Sequence, residues 1–171
     1  MILPPAALLT GLVVALVALG LWLWLWRKRA AKPKTWIVVD GSNVLYWKDN
    51  TPRIETVREV IRHLSRLGFT PGVVFDANAG YLISGRYQHD ASLGRLVGLP
   101  EDRVLVVPKG SPADPFILDT ARGLGARVVT NDRYRDWAET YPEVRGKGLL
   151  IRGAFRPDGL WLDLPPVSKP E

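Results

Sequence analysis

Hydrophobic positions fall into three regimes along this chain. From Ala6 to Trp26 they are nearly continuous. From Trp36 onward, short β-branched runs alternate with stretches that are apolar at every third or fourth position, the two periods of buried strand and amphipathic helix. Residues 164–171 form a Pro-rich tail with little to bury. In the middle regime, Trp36-Ile37-Val38-Val39 ends abruptly in Asp40-Gly41-Ser42-Asn43. An unbroken apolar run closed by turn residues predicts a strand buried on both faces of a parallel sheet. Residues 53–67 carry Ile54, Val57, Val60, Ile61 and Leu64 at helical spacing, and Gly68 stops the helix. Val73-Val74-Phe75 is a second strand, ended by Asp76. Residues 77–99 read as a broken helical region and 103–107 as a third strand. Asp114 before Pro115 predicts an N-cap with proline at the first helical position, opening a helix over 115–124. Residues 126–130 form a fourth strand and 133–139 a short helix. Two terminal strands, 149–155 and 160–162, flank the turn sequence Arg156-Pro157-Asp158-Gly159. Alternating strands and helices imply a three-layer α/β/α domain with a mainly parallel sheet, and right-handed crossovers put all strand carboxyl ends on one edge.

The first regime changes the picture of location. Residues 1–26 carry no charge, and the 21 residues of 6–26 would span about 31 Å as a helix, close to a bilayer's hydrocarbon thickness. Trp22, Trp24 and Trp26 followed by Arg27-Lys28-Arg29 are the marks of a retained transmembrane helix rather than a cleaved leader. This predicts a single-pass protein of the cell inner membrane. Residues 1–5 would be a short extracytoplasmic N-terminus, 27–35 a basic linker, and 36–163 the folded domain facing the cytoplasm.

Composition narrows the chemistry. There is no cysteine and there are only two histidines, His63 and His89, so thiolate and His-rich metal sites are excluded. Any metal must be held by oxygen, which selects hard ions such as Mg²⁺ or Mn²⁺. The net charge of +6 is no nucleic-acid signal in itself. Five of the 23 basic residues precede the first acid, Asp40, leaving 18 against 17 acids in the folded part.

Candidate chemistry gathers at the strand ends. Asp40 ends the first strand, Asp76 the second, Asp114 opens the helix after the third, and Asp132 follows the fourth. Asp136 stands four residues after Asp132, on one face of the expected helix. Carboxylates packed together repel and call for a cation. A hard divalent ion there would activate water and polarise a phosphoryl oxygen, the chemistry of phosphodiester hydrolysis. Each acid also has a plainer role open to it: Asp114 as a cap, Asp136 as a first-turn acid, Asp76 as the cap of a turn. Arg133, Arg135 and Lys109 sit by the same edge, as phosphate holders or as solvated surface cations. Trp47, Tyr81 and Tyr87 are available to stack bases or to pack the core. Ser42 has no neighbouring histidine, so a Ser/His mechanism is disfavoured.

Three segments together resemble the NYN branch of PIN-like ribonucleases, and within it the Regnase (MCPIP) type. They are Val38-Val39-Asp40-Gly41-Ser42-Asn43-Val44, Asp114 before Phe116-Ile117-Leu118, and Val128-Val129-Thr130-Asn131-Asp132-Arg133-Tyr134-Arg135-Asp136. The resemblance spans residues 36–162. It implies a PIN-like fold and Mg²⁺- or Mn²⁺-dependent endonucleolytic cleavage of single-stranded RNA. It carries over Asp40, Asp114, Asp132 and Asp136 as the acidic cluster, with Asn43 as a supporting polar group, and by analogy a homodimer. Where the family has two adjacent acids before an arginine, this chain has Ala113-Asp114-Pro115. The family's zinc finger is absent, since its cysteines are.

The sequence thus predicts a membrane-anchored endoribonuclease in which Asp40, Asp114 and Asp132 hold the metal, with Asp76 and Asp136 as further acids. The rival reading is a degenerate fold that binds RNA or a protein without cutting, favoured by Ala113 and Pro115. An aspartyl-phosphate phosphatase ranks lower, because the second acid it needs two residues after the first is Ser42.

Overall fold

A computed structural model describes residues 17–20, 22 and 34–164. The chain divides into two units, Met1–Lys34 and Thr35–Glu171. Of the first unit, residues 17–20 and 22 are helical and exposed. Among the described residues no helix is long and apolar enough to cross a membrane. That finding overturns the single-pass inner-membrane location. A crossing takes about 20 helical residues, and the described part of the apolar run amounts to five. Residues 1–5, the rest of 6–26, residues 27–33 of the linker and 165–171 of the tail lie outside the described residues.

The second unit is built on a five-stranded parallel sheet. Its strands are β1 (Thr35–Asp40), β2 (Phe69–Phe75), β3 (Val104–Val106), β4 (Arg127–Val129) and β5 (Leu150–Ile151), in the spatial order β3-β2-β1-β4-β5. A one-turn helix α1 (Gly41–Val44) follows β1, and α2 (Ile54–Arg66) makes the crossover to β2. Two short helices, α3 (Ala79–Ser84) and α4 (Asp90–Val97), lead to β3, and α5 (Ala113–Leu124) leads to β4. A separate antiparallel hairpin, β6 (Gly153–Arg156) and β7 (Gly159–Leu162), closes the domain.

The alternation of β1 decides which residues meet. Ile37 and Val39 pack with Val73, Phe75, Val129 and the apolar face of α2, while Val38 packs with Val74, Val128 and Ile117, Leu118 and Ala121 of α5. Two buried layers on opposite faces of one sheet give the expected α/β/α order. Side chains in a strand alternate faces, so Asp40, two residues after Val38, belongs to the α5 side. Thr130 after Val128 and Asp76 after Val74 share that parity.

Three differences from the sequence reading have local causes. β2 begins at Phe69 rather than Val73 and tolerates Pro71, because β3 pairs only with Val73–Phe75 and leaves the Pro71 end of β2 a single neighbour. The expected helix over 133–139 is only a 3₁₀ turn, Arg135–Trp137, because Tyr134 adopts a left-handed conformation with φ 47°. The expected strand over 149–155 breaks at Arg152 into β5 of the parallel sheet and β6 of the hairpin.

Candidate functional site

The strand order runs outward from β1 in both directions, so the connections at its carboxyl end diverge to opposite faces. Ligands of open α/β sheets bind in the crevice such a switch point leaves, and here it lies between the ends of β1 and β4. Asp40 caps it from below. Its Oδ1 accepts the Asn43 backbone N–H at 3.1 Å, and its Oδ2 accepts Thr130 Oγ1–H and Tyr134 O–H, both at 2.9 Å. The side chain is 6% exposed. Burial outweighs the three donors and pushes its acid up to about 6, with repulsion from Asp114 adding to the rise. Gly41 lets the start of α1 pack directly onto β2: a Cβ there would stand 2.5 Å from the Phe75 ring and 2.8 Å from Val73 Cγ1.

Thr130 and Tyr134 are the principal functional residues that sequence reasoning missed. Thr130 donates its hydroxyl hydrogen bond to Asp40 and accepts the Asp132 backbone N–H at 3.0 Å. Asp132 Oδ1 in turn accepts the Tyr134 N–H at 2.8 Å, an Asx-type turn. That turn and the left-handed Tyr134 aim the phenol back under Asp40. Burial and the Asp40 carboxylate raise the Tyr134 hydroxyl above its ordinary range, so it stays a donor. The signal available in the sequence was Tyr134 itself, an aromatic two residues after a turn acid.

Asn43 is spent on scaffolding. Its Oδ1 accepts Trp47 Nε1–H at 2.8 Å and the Asn131 backbone N–H at 3.0 Å, linking the β1 and β4 loops. Asn131 clamps Gly153 by donating to its carbonyl at 2.9 Å and accepting its N–H at 3.2 Å. Trp47 packs partly buried against the core, so it serves the fold and not a base. Ser42 Oγ accepts the Asp76 N–H at 2.8 Å, tying the ends of β1 and β2.

Asp114 is not the N-cap that the sequence suggests. α5 starts at Ala113 with Pro112 as its N-cap, and the half-buried Asp114 accepts Nε1–H of Trp137, from the 3₁₀ turn after β4, at 2.9 Å. Partial burial raises its acid, and repulsion from Asp132, Asp76 and Asp136 adds to the rise.

Asp40, Asp76, Asp114 and Asp132 therefore line one cleft of about 350 Å³, together with Ser42, Asn43, Tyr46 and Leu82. Asp136 lies in the adjoining cleft with Asp132, Arg133 and Arg135. Lys109 is exposed and lines neither. Tyr81 and Tyr87 are exposed outside the acidic cleft, and His89 sits by Ser92 at the surface. The donor set is all oxygen, which suits a hard cation. Asp40 uses three of about four acceptor positions, and Asp114 and Asp132 each show a single bond at one oxygen. Among the described residues, no three acids stand close enough to grip an ion between them without adjustment.

A central parallel sheet with acids at its switch point is the plan of PIN-like nuclease domains. The chain belongs to the family described as the Zc3h12a-like Ribonuclease NYN domain, whose profile matches residues 33–159. Among solved structures it is similar to nuclear proteinaceous RNase P 2 (PRORP2) from A. thaliana, at 20% identity and a TM-score of 0.60 over 91% of this chain. A second structure of that Arabidopsis thaliana protein gives 20% identity and a TM-score of 0.55 over the same share. The chain spans about a third of those proteins, 36%, and the likeness is one of fold. No curated protein matches.

Proposed function

We propose that this ribonuclease domain is a divalent-metal-dependent endonuclease that hydrolyses phosphodiester bonds in single-stranded RNA. The observation that carries the reading is the convergence of Asp40, Asp76, Asp114 and Asp132 on one cleft at the carboxyl edge of the sheet, where burial and mutual repulsion raise Asp40 and Asp114 together. Asp40, Asp114 and Asp132 would hold Mg²⁺ or Mn²⁺, which supplies an acidified water and a polarised phosphoryl oxygen. Thr130 and Tyr134 fix the Asp40 carboxylate by donating to it, and the buried Tyr134 ring keeps water from its underside. Trp137 sets the direction of Asp114. Asn43 and Asn131 hold the β4 loop so that Asp132 faces the cleft. Arg133 and Arg135 bind phosphates flanking the scissile one, and Asp136 and Asp76 tune the field around it.

The test is cleavage of end-labelled single-stranded RNA by the full chain. Cutting with Mn²⁺, none with EDTA, and strong loss in Asp132→Asn support the reading. Cutting that survives EDTA, or an Asp132→Asn variant as fast as wild type, refutes it.

A non-cutting binding module remains the second reading, favoured by Ala113 and Pro115 and by the spread of the acids. It predicts RNA binding that is indifferent to Mn²⁺ and to Asp132→Asn.

A further inference from the structure

Beyond the acidic cleft the surface turns basic. A cleft of about 690 Å³ is lined by Arg133, Arg135, Arg145, Lys147 and Arg152, with Asp163 as the one acid. All five cations are exposed. Among the described residues the ion pairs are Arg53–Asp49 and Arg122–Glu143, so none of the five is neutralised by a neighbour. The folded part as a whole is nearly balanced, with 18 basic against 17 acidic residues, so concentrating five like charges in one concavity costs self-repulsion unless an anion occupies it.

Two features select the anion. Arg133 and Arg135 also line the middle cleft with Asp132 and Asp136, and Asp132 also lines the acidic cleft, so the three form one continuous track. The basic cleft contains no aromatic side chain, and its apolar floor is Ala138, Val144 and Leu150. Cations without stacking rings suit a sugar–phosphate backbone held without regard to base. We infer that this cleft binds the backbone of single-stranded RNA on one side of the cut, resting on the nuclease reading above.

The experiment measures binding of fluorescent oligouridine to the full chain in EDTA, by anisotropy, from about 0.05 to 0.4 M KCl. Each phosphate contact on a single strand contributes about 0.7 to the salt slope. Lys147→Ala/Arg152→Ala should therefore flatten the slope by about 1.4 and weaken binding about 25-fold at 0.1 M salt. Arg62→Ala/Arg66→Ala removes the same charge outside the cleft and should leave the slope unchanged. If the cleft pair melts at lower temperature than wild type, Arg145→Ala alone should flatten the slope by about 0.7. A cleft variant with the wild-type slope, or a control that flattens as much, overturns the inference. Cleft-dependent binding without Mn²⁺-dependent cutting would sink the nuclease reading and leave the cleft standing. Cutting with an unchanged slope would do the reverse.

Discussion

Two parts of the acidic cleft handle the same functional group differently. At the end of β1, Asp40 is buried, takes three hydrogen bonds, and sits over a Tyr134 that is itself buried. Elsewhere on the cleft, Asp114 in the first turn of α5 is half-buried and held by a single indole, and Asp132 in the loop after β4 is exposed with one backbone donor on its carboxylate. A carboxylate with three donors has one orientation. A carboxylate with one donor can swing toward whatever cation arrives. We read the first part as a fixed anchor and the second as an adjustable jaw, which accounts for acids that share a cleft without closing on a common point.

The strongest way to break this contrast is at the anchor. Asp40→Asn keeps the shape and loses the charge, and cleavage should fall by about 10³-fold or more. Asp40→Ala should in addition unfold at lower temperature, because it strands the hydroxyls of Thr130 and Tyr134 at a cost of about 2–4 kcal/mol. At the jaw, Asp114→Asn and Asp132→Asn should each lose about 10²-fold in turnover with a melting temperature close to wild type.

The pH dependence sharpens the same contrast. Asp40 in the folded chain titrates near 6, above its ordinary 3.8, so folding favours its protonated form. Its contribution to stability is full below about pH 4 and is lost as pH rises through 6, a swing of about 3 kcal/mol for the cation-free chain. Asp114 acts in the same direction. Thermal melts in EDTA between pH 4 and 7 should show the decline, and Asp40→Asn should flatten most of it.

Smaller effects come from the supports. Tyr134→Phe removes one donor from Asp40 and should cost about tenfold in activity and about 1 kcal/mol in stability. Trp137→Phe frees Asp114 and should cost only a few-fold, about 0.5–1 kcal/mol of orientation, visible in turnover and not in melting.

The sequence carried the anchor's address and little of its construction. The apolar run ending in Asp40, the strand ending before Asp76 and the run ending before Asp132 were legible because buried parallel strands write themselves as short β-branched segments. The structure adds that Asp40, Asp76 and Thr130 share the parity of Val38, Val74 and Val128, which puts them on a common face. What was hidden depended on single dihedrals and long-range partners. Asp114 looked like a cap because capping is the local use of an acid before proline, whereas its partner, Trp137, is 23 residues away. The expected Asp132–Asp136 helix failed on the left-handed Tyr134, a conformation that no pattern of polar and apolar residues announces. The apolar N-terminal run shows the opposite error: length and hydropathy suggested a span, yet the described residues include no helix able to cross a membrane.

The claim beneath the rest is that acids from separate strands act on one shared cation. Titration of the full chain with Mn²⁺, followed by the electron paramagnetic resonance of the free ion, tests it most directly. Wild type should take up Mn²⁺, with Asp40→Asn and Asp132→Asn each weakening uptake by about tenfold or more. Equal affinity in wild type and both variants, or no uptake by wild type, would contradict it.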